Sequence, residues 1–77
     1  RSVFNIKPSE LKTILQSKTV VQSPVSVLKG GQFVRTVDVG RIIGNASLRQ
    51  GGRPTTWLKI FTDFKGNLIT TYPVAVP

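Results

Sequence analysis

Apolar residues recur along this chain at helical spacing once and at strand spacing in two later stretches. Lys7-Pro8-Ser9-Glu10 opens the helical stretch, with either Ser9 as N-cap or Pro8 in the first turn, and Leu11, Ile14 and Leu15 then fall on one face at i, i+3, i+4. The spacing predicts a helix over residues 8 to 18. Pro24 breaks any regular element that would continue through it. Gly30-Gly31 separates a Val/Leu-rich stretch (Val25, Val27, Leu28) from Phe33-Val34-Arg35-Thr36-Val37-Asp38-Val39, whose β-branched density and partial alternation predict a strand. Glycines bracket Gly40-Arg41-Ile42-Ile43-Gly44, and residues 46 to 54 read as a polar, basic, glycine-rich loop.

The last third reads as a hairpin. Residues 55 to 62 and 67 to 74 are rich in Thr, Ile, Trp, Phe and Tyr, and Asp63-Phe64-Lys65-Gly66-Asn67 between them suits a type I turn closed by a left-handed Gly66. If Asp63 pairs with Asn67, Ile60 lies opposite Thr70 and Leu58 opposite Tyr72. One face then carries Leu58, Ile60, Leu68, Thr70 and Tyr72, and the other Trp57, Lys59, Phe61, Ile69 and Thr71. A change of one residue in the connection swaps these partnerships, because side chains alternate with period two. In either register Thr70 and Tyr72 share a face, and Pro73 marks the end or edge of the last strand.

Composition narrows the chemistry. Seventy-seven residues make one small domain near the lower limit of independent folding, and the balance of 39% apolar to 18% charged residues is that of a globule. The Arg-Ser start, with no initiator Met and no apolar signal core after it, is expected of a piece of a longer polypeptide. No apolar run approaches bilayer length. The chain has no Cys and no His, which removes disulfides, thiol nucleophiles, Cys/His metal sites and imidazole acid–base chemistry. Eleven Lys and Arg against Glu10, Asp38 and Asp63 give a net charge of +8, so the expected partner is a polyanion. Three scattered acids also argue against a paired-carboxylate glycosidase or a carboxylate cation site.

RNA cleavage is one of the few reactions that this inventory supports. The RNA's own 2′-hydroxyl is the nucleophile, so the protein has mainly to orient the phosphate, stabilise the extra negative charge of a pentacoordinate phosphorane and assist proton transfer. Arg and Lys supply the electrostatics, and Tyr, Thr or Lys relay protons. Neither a metal nor a cofactor is required. Lys29-Gly30-Gly31 and Gly51-Gly52-Arg53 resemble fragments of anion nests but follow neither nucleotide-binding glycine pattern, so both read first as turns whose cations can meet a phosphate backbone. Among the aromatics, Trp57 and Phe61 are expected in the core before they are expected to stack on bases, since so small a core needs its large side chains.

The closing stretch, Gly66-Asn67-Leu68-Ile69-Thr70-Thr71-Tyr72-Pro73, resembles the last hairpin of ribonuclease toxin domains of the barnase/EndoU/colicin/RelE superfamily, many of which end in Gly-x-Leu/Ile-x-Thr-x-Tyr/Phe-Pro. Asp38-Val39-Gly40-Arg41 and the basic loop before Trp57 are likewise similar to C-terminal toxin modules of contact-dependent growth inhibition effectors, especially colicin D-like ones. The resemblance spans about residues 33 to 77. It implies an α+β fold, with a short N-terminal helical part packed on a twisted antiparallel β-sheet that ends in a C-terminal hairpin. It also implies metal-independent tRNA cleavage, secretion or surface display with delivery into a target cell's cytoplasm, and a cognate immunity protein over a basic cleft. That protein is expected to be acidic, to match +8. In colicin D-like members a Ser/Thr and an aromatic residue two positions apart on the terminal strand line the site; here they match Thr70 and Tyr72. Some relatives need a translation elongation factor, and these residues carry no sign either way. Many relatives use a His that this chain lacks, which leaves Lys59 or Arg41 to take its role.

The expected site therefore has Arg41 and Lys59 stabilising phosphorane charge, Thr70 and Tyr72 positioning the phosphate and sharing proton transfer, and Thr56 nearby. Lys29, Arg49 and Arg53 are the expected grip on the backbone. Two other readings share the composition: a non-catalytic basic RNA-binding module, and an assembly fragment pairing through exposed strand edges.

Overall fold

A computed structural model describes residues 2 to 77. The fold is α+β, with two antiparallel sheets and a short helical part near the N-terminus. Helix α1 (Pro8–Leu15) begins with Pro8 in its first turn, where the missing N–H costs nothing, and Lys7 N donates to Glu10 Oε1 at 3.4 Å. Lys7 is thus the N-cap, and Ser9 lies inside the helix. The helix stops short of residue 18 because Ser17 turns its hydroxyl back onto the Ile14 carbonyl (2.6 Å) in competition with the helical ladder. A second short helix, α2 (Lys18–Val21), comes next and is closed by the matching Ser23 hydroxyl on the Val20 carbonyl (2.6 Å).

The larger sheet has the order β2 (Ser26–Val27), β3 (Phe33–Asp38), β6 (Trp57–Thr62), β7 (Leu68–Val74). The smaller joins β1 (Val3–Phe4), β4 (Gly44–Asn45) and β5 (Pro54–Thr55). The hairpin of β6 and β7 is shorter at its start than the sequence suggests: Thr55 pairs with Gly44 in the other sheet, and the chain turns a corner at Thr56 before β6. Buried Thr55 fixes that corner by donating Oγ1 to the Val74 carbonyl (2.6 Å) while accepting from Trp57 N (3.1 Å).

Helices α1 and α2 cover one face of the larger sheet. Val20, Val37, Ile43, Leu58 and Ile60 form the buried cluster, with Phe4, Ile6, Leu11, Ile14, Leu15 and Val39 packed around it. Gly44 admits a close backbone approach: a Cβ there would collide with the Val3 carbonyl oxygen and lie 2.9 Å from both Phe4 Cα and Pro73 Cγ. Pro73 is in consequence fully buried on the core side.

The turn of the hairpin matches its sequence. Gly66 adopts φ +86°, its N–H donates to the Asp63 carbonyl at 3.0 Å, and Asp63 Oδ1 accepts from Lys65 N and Asn67 N, each at 2.9 Å. Asp63 and Asn67 do pair through the backbone, but the register beyond them differs from simple alternation. Leu68 lies opposite Thr62, Thr70 opposite Phe61 and Tyr72 opposite Lys59, so Ile69 is an extra residue, a β-bulge. Thr70 and Tyr72 therefore face away from Leu58 and Ile60, on the side of Trp57, Lys59 and Phe61.

Candidate nucleic-acid interface

That bulge assembles the face opposite the helices. Three rows of cross-strand neighbours occupy it: Asp38, Trp57 and Val74; Thr36, Lys59 and Tyr72; Val34, Phe61 and Thr70. Neighbouring strands lie about 5 Å apart and successive same-face residues about 7 Å apart, so Lys59 at the centre is within side-chain reach of every other position. The Phe61 and Tyr72 rings stack with centroids 6.0 Å apart and planes 24° from parallel, and Lys59 Nζ stands 5.5 Å from the Phe61 centroid. Thr36 and Thr70 are exposed, and Lys59, Phe61 and Tyr72 are half-buried. The result is an aromatic surface with a cation in its middle and hydroxyls on either side.

Asp38 is the one acid among these nine positions, and it is already engaged. Its Oδ1 accepts from Gly40 N at 3.0 Å; that bond and one from the Thr56 hydroxyl hold its carboxyl below the usual carboxylate range. Thr56 lies at the end of β3, where its carbonyl accepts from Val39 N at 2.9 Å.

Of the expected catalytic residues, the fold brings together Lys59, Thr70 and Tyr72 and leaves Arg41 elsewhere. Arg41 lies just beyond β3, and its guanidinium pairs with Glu10 Oε2 at 3.0 Å, on the helix that packs against the other side of the sheet. The pair is solvent-exposed, 54% and 40% accessible. The expected grip residues divide between the two ends of the sheet. Lys29 lies in the β2–β3 turn beside the β6–β7 turn that carries Lys65; a Cβ on Gly31 would meet Phe64 at 3.8 Å. Arg49 and Arg53 lie at the far end, in a loop containing a 3-10 turn (Leu48–Gln50), where the Gln50 side chain accepts from Ala75 N at 3.4 Å. The N–H groups of Gly51 and Gly52 bond to the carbonyls of Leu48 and Ser47, so this segment is a self-closed turn and not an anion nest.

Sequence reasoning put Phe61 and Trp57 inside the core, and the structure places them on the open face. It also left out Thr36. The signal for all three is the alternation of β3, which becomes readable once Thr36 is known to lie opposite Lys59. Among the described residues no helix is long and apolar enough to cross a membrane. No family model, curated protein or solved structure matches this chain.

Proposed function

We propose that this domain is a ribonuclease toxin that cuts tRNA by metal-independent transesterification on the open face of its larger sheet. The observation that carries the reading is the row Thr36, Lys59, Tyr72 with Phe61 and Thr70 beside it: a cation, a phenol, a hydroxyl and a stacking surface at adjacent cross-strand positions. Unpaired bases stack on aromatic side chains whatever their identity. Phe61 and Tyr72 hold such a base, and Lys59 meets the phosphate next to it.

The chemistry needs little more. The ribose 2′-oxygen attacks the adjacent phosphorus, its proton passes to a solvent water, and the bond from phosphorus to the 5′-oxygen breaks. The products are a 2′,3′-cyclic phosphate and a 5′-hydroxyl that has gained a proton. Lys59 stabilises the charge that accumulates on the non-bridging oxygens. The Tyr72 hydroxyl donates to the leaving 5′-oxygen, and Thr70 orients the phosphate. Lys29 and Lys65 at one end, and Arg49 and Arg53 at the other, extend the positive charge along the strand direction and give the RNA backbone a track. Arg41, paired with Glu10, stands outside this reaction centre.

A basic nuclease of this kind needs an acidic immunity protein in the cell that makes it, and delivery from a secreted or surface effector into the cytoplasm of a competitor. Both rest on the resemblance of the terminal hairpin to toxin domains. Incubating the purified domain with total tRNA tests the reading. Fragments ending in 2′,3′-cyclic phosphate and 5′-hydroxyl, and their loss when the cut nucleotide is 2′-deoxy, are the expected result. Salt-sensitive binding that leaves every tRNA intact, with or without an added elongation factor, assigns the same face to a non-catalytic RNA-binding module instead.

A further inference from the structure

The other side of the larger sheet holds a cleft of about 450 Å³ between α1, α2 and the strands. Leu15, Val20, Ile60 and Leu68 give it apolar walls, and Lys12 and Arg35 supply charge. Arg35 projects from β3 opposite Ile60 and so lies under the helices, not on the face that carries Lys59. Its Nη1 donates to the carbonyls of Val20 (2.9 Å) and Val21 (3.2 Å), satisfying the C-terminal end of α2. That role occupies one corner of the guanidinium. Its Nε is buried and has no hydrogen-bond partner among the described residues.

The charge is uncompensated as well. Among the described residues no carboxylate lines the cleft. Glu10 is paired with Arg41, Asp38 accepts from Gly40, and Asp63 is bound into its turn. A partly desolvated guanidinium with no counter-ion is costly, and an anion in the cleft would offset that cost. The α2 carbonyls take Nη1 and Nε is closed off within the fold, which leaves Nη2 as the donor that can meet one oxygen of a carboxylate. The cleft lies in the usual size range of small-molecule sites, mostly apolar with a few convergent polar groups.

We propose that this cleft binds a small amphipathic monocarboxylate, with its carboxylate on Arg35 Nη2, near Lys12, and its apolar body against Leu15, Val20 and Leu68. The site is separate from the RNA face and does not depend on the function proposed for it.

Decanoate is a suitable probe, titrated into the protein with the methyl resonances of Leu15, Val20 and Leu68 as readout and 1-decanol as the uncharged control. Saturable shifts at those methyls with decanoate, and none with decanol, are expected. Because Arg35→Gln removes the cap of α2 and can unfold it, the decisive variant is Leu68→Glu, at a half-exposed wall position where a carboxylate repels the ligand and leaves the core intact. It should weaken decanoate binding roughly tenfold or more, the worth of one charge-assisted contact. Equal response to decanol, shifts confined to Phe61 and Tyr72, no saturation up to the solubility limit, or unchanged binding by a folded Leu68→Glu protein would each overturn the assignment.

Discussion

Replacing Lys59 by Gln removes one charge from the centre of the open face and little else. Its neighbours in sequence, Leu58 and Ile60, point into the core and keep their packing, while Lys59 itself lies on the open face. The folded state loses the cation over Phe61, about 0.5–1 kcal/mol at a site of this exposure. The transition state loses more. A unit charge brought to about 4 Å of a developing phosphorane charge, at an effective dielectric of about 20, is worth about 4 kcal/mol by Coulomb's law. Removal of one preorganised donor from an oxyanion site costs about 2.7–4 kcal/mol, a factor of 10² to 10³ in rate. The two routes agree, so Lys59→Gln should cut tRNA at least about a hundredfold more slowly under single turnover at saturating protein. Its binding should also depend less on salt, with the slope of log K against log salt falling by about 0.7 for one phosphate contact on a single strand. Arg49→Gln with Arg53→Gln provides the contrast: removing two cations from the backbone track lowers the slope by about 1.4, with the saturated rate preserved. Labelled tRNA cleavage at several salt concentrations measures both quantities, and near-ultraviolet circular dichroism checks the fold. A Lys59→Gln protein with a native spectrum that cleaves at the parental rate would refute the placement of the reaction on this face.

Three further outcomes rest on the same geometry. Phe61→Ala should weaken binding of single-stranded RNA by about 1–3 kcal/mol, the worth of one base stacked on an aromatic ring, and leave duplex affinity nearly unchanged; fluorescence anisotropy on the two RNAs compares them. Arg41→Gln should keep the cleavage rate and cost at most about 1 kcal/mol of stability, because it breaks only an exposed ion pair; a denaturation curve beside the tRNA assay checks both. Asp63, whose carboxyl is held below the usual carboxylate range chiefly by the Asn67 N–H, stabilises the hairpin in its charged form. That contribution is fully present above the unfolded-state value and is lost as pH falls through the lowered native one. The melting-temperature advantage of the parent over Asp63→Asn should hold constant from pH 7 to about 5 and shrink below about 4; an advantage that grew on acidification would contradict the turn's hydrogen bonding.

The parts of the fold that the sequence discloses are those fixed by neighbours in the chain. Pro8 with Leu11, Ile14 and Leu15 defines a helix and its apolar face within eight residues, and Asp63 with Gly66 defines a turn within four. The smaller sheet is not legible because each of its strands is two residues long, too short for any period, and its partners lie up to some forty positions apart. The pairing of Arg41 with Glu10 crosses 31 positions and has no local signature either. The register of β6 and β7 is the instructive case, since its turn is predicted correctly and its faces are not. Period-two counting from Asp63 and Asn67 assumes that every residue is paired, and Ile69 is not.

The bulge has a physical reason in the far end of the same strand. Pro73 must reach the core side, where Gly44 leaves room for its ring and where its missing N–H is harmless at a sheet edge. Counting back from an inward Pro73, Thr71 also faces inward, and its hydroxyl donates to the Lys59 carbonyl at 2.9 Å. Tyr72 and Thr70 must then face outward. The turn, however, requires Asn67 to pair with Asp63, a phase that by itself would put Thr70 opposite Ile60. The two ends of β7 thus demand opposite alternations, and one unpaired residue reconciles them at Ile69, where the strand is exposed and the disruption is least costly. The same adjustment moves a phenol and a threonine hydroxyl from the core side to the side of Lys59. A packing constraint at Pro73 and Gly44 therefore decides which chemistry meets solvent some two turns of the pleat away, and the residues of the proposed site owe their meeting to it.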